Sequence, residues 1–336
     1  VEHLRSKFHD EINGYGTVQI FDFEFSREDI IRNLEPQGYQ EEFDNWLQRR
    51  QYDLLKIADE ILSQFDNKNR FLQLREIYKQ GNVIPFVGAG LSYPSGYPSW
   101  TQFLNEARSE TNISEEELKK LLNEGKYEDA AQLLFDEMTP AGFNEFLENT
   151  YGLDFDLNGP VQLLPHLFEP TSVVTTNFDN VLERVYSNEN NPFKEIIIGA
   201  QAQELPRMLG KGTKALLKLH GHISSSRGRV LTKEEYEKEY NDEKIVKSAI
   251  QSICTRTLLF MGCSLTVDRT IQAMQAYVDE NGHHKVTRHY AFLALKKEED
   301  RIKRKNILAK ANIFPIWYPE GKHDECIEAL LYKLSE

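Results

Sequence analysis

The sequence predicts an α/β fold: a Rossmann-like, mostly parallel sheet flanked by helices, with an N-terminal helical segment and a helical insert. Three observations carry this expectation. Six short apolar runs, "VIPFV" (83–87), "SVVTT" (172–176), "ALLKLH" (215–220), "TLLFMG" (257–262), "YAFLAL" (290–295) and "IFPIWY" (313–318), alternate with helical stretches. Continuous apolar runs of this length suit strands covered by helices on both faces. Glycines or small polar residues follow four of the six runs. Finally, residues 1–80 are charged and helix-periodic, with no chemical motif.

Each element has its own justification. Ser26-Arg27-Glu28-Asp29 opens a capped helix, and Leu54, Leu55, Ile57, Ala58, Ile61, Leu62 and Phe65 mark one amphipathic face. Segment 1–80 is therefore read either as a helical layer on the main domain or as an arm for oligomerisation or partner docking. Residues 81–336 form the main domain, with an insert at about 101–165 in which Ser114 begins a capping box, "SEEELKKLL". After the first run, "GAGLS" (88–92) offers two glycines that let the backbone turn sharply. A helix beginning near Ser92 would aim unpaired N–H groups at an anion. The usual dinucleotide fingerprint wants a third glycine where this chain has Tyr93.

Composition limits the function. The chain has 336 residues, 40% hydrophobic and 28% charged, long enough for one large domain or two modest ones. A net charge of -13 argues against general nucleic-acid binding. The dense basic stretch "KKEEDRIKRKN" (296–306) has interleaved acids and reads as a solvated helix face. No apolar run approaches a membrane span, and no signal-peptide pattern opens the chain at Val1. The three cysteines, Cys254, Cys263 and Cys326, form no C-x-x-C pair, which suits a reducing compartment, the cytoplasm by default, and argues against a cysteine-cage zinc site. No metal is expected.

In open parallel sheets ligands bind beyond the carboxyl ends of the strands. The residues there are "GAGLS", then "NFD" (177–179), "HGH" (220–222) and "GCSLTVD" (262–268). Taken singly, Asn177 reads as a turn former, Asp179 as the cap of helix "NVLERVY", and His220 as a hydrogen-bonded core histidine. His222 points the same way as His220 if the strand continues. Cys263 reads as a small buried residue, and His283-His284 as an exposed turn after Gly282.

In this order, "GAGLS", "TTNFDNVLE" (175–183), "LHG" (219–221) and "GCSL" (262–265), with "YPSW" (97–100) and "VLTKEEY" (230–236), make residues 80–330 resemble the sirtuin superfamily, in its bacterial branch of antiphage defence proteins. The resemblance implies that Gly88, Ala89, Gly90 and Ser92 line the pyrophosphate and ribose of NAD+. It implies that Asn177 and Asp179 sit by the nicotinamide ribose, that His220 is the catalytic base, and that Gly262 and Ser264 hold the adenosine side. Thr176, Gly221 and Cys263 complete the implied binding surface. The chemistry suits such a site. Cleaving the nicotinamide–ribose bond develops positive charge on the sugar, an Asn amide orients the attacking oxygen, and a His titrating near neutrality accepts its proton.

Protein-deacylating sirtuins usually carry two cysteine pairs after the catalytic histidine, whereas "GHISSSRGRVLTKEEYEKEYNDEK" (221–244) has no cysteine. The expected activity is therefore NAD+ hydrolysis to nicotinamide and ADP-ribose, depleting host NAD+ in abortive infection. The alternatives are a protein deacylase or ADP-ribosyltransferase, and a non-catalytic NAD-sensing module. The resemblance also implies silence until the domain forms a homo-oligomer or is engaged by a HerA-type ATPase, an Argonaute, a phage protein or an appended cyclic-nucleotide sensor.

Overall fold

A computed structural model describes residues 4–169, 171–199, 212–225, 228–242, 244–266 and 269–336. The N-terminal part contains α1 (Arg5–Asn13), the hairpin β1 (Val18–Ile20) and β2 (Phe23–Phe25), α2 (Arg27–Leu34), α3 (Pro36–Leu62) and α4 (Asn67–Lys79). Then come β3 (Val83–Val87) and the insert helices α5 (Trp100–Arg108), α6 (Glu115–Asn123), α7 (Tyr127–Glu137), α8 (Pro140–Tyr151) and the short α9 (Leu164–Leu167). They are followed by β4 (Val173–Thr175), α10 (Val181–Asn188), β5 (Glu195–Ile198), β6 (Ala215–Lys218), α11 (Lys233–Tyr236) and α12 (Ile245–Ile253). The chain continues through β7 (Thr257–Met261), α13 (Arg269–Asn281), β8 (His289–Leu295), α14 (Glu298–Lys310), β9 (Ile313–Pro319) and α15 (His323–Ser335).

Strands β3 to β9 form one sheet in the order β5-β6-β4-β3-β7-β8-β9, and every neighbouring pair is parallel. From β3 the chain first builds toward β4 and β6, then crosses back to place β7 on the other side of β3. The order of strands therefore reverses beside β3, where open α/β sheets bind ligands.

Alternation along the strands divides the core between the two faces. Val83, Val87, Leu216, Leu259 and Met261 pack with the insert helices, α10 and α15. Ile84, Phe86, Leu217, Leu258 and Phe260 pack with α12, α13 and α14. All six apolar runs become strands of this sheet, and the insert is helical. Strand β5 escaped the sequence reading because it lies at the sheet edge, with Glu195 and Ile196 exposed and only Ile197 buried.

Ser26 caps α2, its side chain accepting from the Asp29 N–H, and Ser114 caps α6 in the same way through Glu117. The N-terminal segment is not wholly helical, since β1 and β2 pair antiparallel. Phe65 leaves the expected apolar face because α3 ends at Leu62; the residue sits at φ 51°, 41% exposed. Leu54 and Ala58 pack on Ala329 of α15, while Leu4, Phe8, Tyr39, Phe43 and Trp46 make a separate small core. The basic stretch becomes α14 with mostly exposed side chains, and His283 and His284 are exposed in a turn. No helix among the described residues is long and apolar enough to cross a membrane.

Candidate active site

The "GAGLS" turn does not start an α-helix. Two short 3₁₀ turns, Ala89–Leu91 and Tyr93–Ser95, follow β3, and the next α-helix begins only at Trp100, where Ser99 and Gln102 form a capping box. The N–H groups of Gly88 and Gly90 donate to the Met261 and Gly262 carbonyls at 2.9 Å, and those of Leu91 and Ser92 donate within the turn. Four N–H groups of the turn, those of Gly88, Gly90, Leu91 and Ser92, are thus already engaged. The glycines have a different necessity. A Cβ on Gly88 would lie 2.6 Å from the Gly262 carbonyl oxygen, and one on Gly90 would lie 2.9 Å from Gly262 Cα. Gly262 itself has φ +67° and leaves no room for a side chain against the Leu91 nitrogen. These residues let the loops after β3 and β7 touch backbone to backbone.

Beside this contact, Ser92 is buried between two residues from the loop after β4. Asn177 Nδ2 donates to Ser92 Oγ at 3.1 Å, and the Ser92 hydroxyl acts to lower the pKa of the Asp179 carboxyl. Thr175 fixes the loop from below: its hydroxyl donates to the Val87 carbonyl at 2.8 Å and accepts from the Asn177 N–H at 3.0 Å. Asp179 also accepts from the Val181 N–H at 3.0 Å, so it caps the start of α10 as well as facing Ser92. Burial raises the Asp179 carboxyl above its usual range, opposed by the Lys218 ammonium, the Val181 N–H and the Ser92 hydroxyl.

His220 lies two residues beyond the end of β6, 6% exposed. Its Nε2 is 3.0 Å from the Tyr240 hydroxyl, and the rings of Tyr236 and Tyr240 pack edge-on against it. Burial pushes the imidazole down to about 3, so it is neutral at physiological pH rather than titrating near neutrality. His222 does not follow it. The strand ends at Lys218, and His222 turns away so that Nε2 lies 2.9 Å from Asn180 Oδ1.

Tyr240 belongs to a π-helical stretch, Glu237–Asp242, that continues from α11. Polar contacts hold this cover to the insert. Arg269 reaches Glu128 of α7 at 2.8 Å and Glu237 at 2.6 Å, and Lys233 meets Asp129 of α7 at 2.7 Å.

The remaining expected residues lie around this centre. Gly221 is buried, Ala89 and Thr176 are half-buried, and Ser264 is exposed, with its carbonyl accepting from Arg304 at 3.0 Å. Cys263 is half-buried rather than buried, its thiol toward the Met261 and Phe86 carbonyls. Val267 and Asp268, the end of the loop after β7, lie outside the described residues. Two cavities border α8. One of about 290 Å³ is lined by Asn144, Leu147, Glu148, Ile223, Ser224 and Arg229, and one of about 550 Å³ lies between the Tyr93–Pro98 turn and α5 and α8. Asn177 and His220 line neither.

Two groups went unrecognised in the sequence. Lys218 is wholly buried, with Nζ 2.6 Å from the Asp179 carbonyl oxygen and 2.8 Å from Glu183 Oε1. A lysine within the apolar run "ALLKLH" was the available signal, because a strand covered on both faces rarely holds a charge. Tyr240 carried no comparable mark.

Residues 171–316 match a SIR2-like domain. The chain is 26% identical to an NAD(+) hydrolase ThsA of Enterococcus faecium over 64% of this chain and 45% of that protein. It is 25% identical to the ThsA of Bacillus cereus, strain MSX-D12, over 68% of this chain and 45% of that one. It is 24% identical to Defense-associated sirtuin 2 of Bacillus subtilis, over 57% and 19%. The chain spans less than half the length of each of these curated relatives. Residues 171–316 thus match a SIR2-like domain carried on an all-parallel sheet, and the chain is similar to proteins named NAD(+) hydrolase ThsA and Defense-associated sirtuin 2.

Proposed function

We propose that this chain hydrolyses NAD+ to nicotinamide and ADP-ribose in antiphage defence, with Asn177, Asp179 and His220 at the reacting centre. The observation that carries the reading is the buried grouping of Ser92, Asn177 and Asp179 at the strand-order reversal, with Asn177 bonded directly to Ser92, beside the strand end that delivers His220. Similarity to proteins named NAD(+) hydrolase supports the substrate.

In the proposed reaction the bond between nicotinamide and the anomeric carbon breaks, and its electron pair leaves with nicotinamide. The Asp179 carboxylate offers negative charge near the developing oxocarbenium ion. Asn177 orients a water whose oxygen bonds to that carbon, and His220 takes the proton lost from the water. Gly88, Ala89, Gly90, Ser92, Thr176, Gly221, Gly262, Cys263 and Ser264 are proposed to surround the dinucleotide.

A base pushed down to about 3 is the wrong base for neutral pH, and His220 is sealed under Tyr236 and Tyr240. This favours a resting state: activation by a partner or by self-assembly would lift the 233–242 cover, hydrate His220 and return it toward its ordinary range. Purified protein incubated with NAD+, alone and with candidate activators, tests the reading through the nicotinamide released. Modified protein with little free ADP-ribose would instead identify a transferase.

A further inference from the structure

Lys218 is the one lysine among the described residues with no exposed surface, and its charge is fully accommodated. Its ammonium has three protons and faces three oxygens: the Asp179 carbonyl at 2.6 Å, Glu183 Oε1 at 2.8 Å and the Phe178 carbonyl at 3.4 Å. Two of these acceptors are backbone groups of the loop that carries Asn177. The lysine side chain projects from β6 on the face occupied by Leu216, and a single residue separates it from His220.

A strand position of this kind is ordinarily filled by Val, Ile or Leu. Burying a cation is costly unless every donor is matched, and an apolar residue of similar volume is often as stable or more so. Fold stability alone therefore gives little reason for a lysine here. The site gives two. The ammonium joins the loop after β4 to the strand end that precedes His220. It also opposes the burial that favours the neutral form of Asp179.

We propose that Lys218 is a positioning residue for the reacting centre: its ammonium, paired directly with Glu183, ties the Asn177–Asp179 loop through its backbone carbonyls to the strand that delivers His220 and lends its positive charge to the neighbourhood of the Asp179 carboxylate. The groups facing Asp179 are Lys218 from β6, Ser92 from the turn after β3, Glu183 from α10, Tyr97 before α5 and Tyr151 at the end of α8. Lys218 is the cation among them.

The test uses the full chain with Lys218→Met, Lys218→Arg, Asp179→Asn and the double variant Lys218→Met/Asp179→Asn. Thermal unfolding is followed from pH 5 to pH 8, and nicotinamide release from NAD+ over the same range. Without the lysine, Asp179 should be held still further above its unfolded value, a penalty that is relieved when it takes up a proton. The Tm deficit of Lys218→Met should therefore be largest at pH 8 and shrink on acidification, Lys218→Arg should recover part of it, and the pH dependence should vanish in the Asp179→Asn background.

A deficit equal at every pH overturns the proposal and leaves Lys218 a packing residue. A pH dependence that survives Asp179→Asn also overturns it, assigning the charge to Glu183. In turnover, the acidic limb of kcat should move up by about one pH unit in Lys218→Met, with KM little changed. Only this turnover arm rests on the hydrolase reading. A wild-type chain that releases no nicotinamide with any of the candidate activators refutes that reading, while the unfolding arm still decides the role of Lys218.

Discussion

The two halves of the candidate centre are held by different physics. On one side, Ser92, Thr175, Asn177, Asp179 and Lys218 are all buried and joined by hydrogen bonds at the ends of β3, β4 and β6. On the other, His220 is covered by a π-helical stretch and its preceding turn, tied to the insert through the water-accessible charges of Arg269, Lys233, Glu237 and Asp129 and through buried Arg229, which joins Glu235 to Asn144. Buried polar networks are costly to break, whereas exposed ion pairs contribute little each and weaken with salt. The difference teaches that the groups proposed to orient a water or ribose are built into the sheet, while the cover over the proposed base, His220, is tied down in part by water-accessible ion pairs.

The largest expected effect comes from breaking either half chemically. Asn177→Ala and His220→Ala should each lower nicotinamide release by about 10²-fold or more, measured at saturating NAD+. Ser92→Ala strikes the rigid half, leaving Asn177 without its partner and removing the hydroxyl that acts on Asp179. Unfolding in denaturant should give a loss of about 1–3 kcal/mol, with turnover reduced as well. Gly90→Ala forces a Cβ to within 2.9 Å of Gly262 Cα, and a destabilisation of about 1–3 kcal/mol is expected by the same measurement.

Arg269→Ala should sharpen the contrast from the other side. Amide exchange should quicken across 233–242 and stay unchanged across 173–179, and basal turnover should rise rather than fall. The smallest effect is in pH dependence. His220 is held down at about 3, well below its unfolded value of 6.5, so the folded state binds its proton less readily than the unfolded chain. Stability from this source is complete above pH 6.5 and is lost as pH falls toward 3. His289, also held at about 3, adds a term of the same sign. His220→Asn should flatten the acid limb of Tm against pH without removing it.

The sheet was legible because each core strand is a short run with apolar side chains on both faces, so "VIPFV" becomes Val83–Val87 residue for residue. The edge strand Glu195–Ile198 and the hairpin at 18–25 were not, since their exposed residues leave little pattern to read. At the site, the grouping of Ser92, Asn177 and Asp179 followed from asking what stands after each strand. The reason for the glycines did not follow, because it depends on a contact between residues 88–90 and 262 that are remote in sequence. Nor could the state of His220 be read, since it is set by burial in the folded chain, where Tyr236 and Tyr240 pack against the ring.

The most direct measurement is nicotinamide release from NAD+ by the full chain, assayed with candidate activators beside Asn177→Ala and His220→Ala. Some activator should elicit release from the wild type, and both substitutions should abolish it while the folded state persists. Release that continues unchanged in either variant would contradict the assignment of that residue to the reacting centre, and the absence of release under every condition would contradict the proposed activity itself.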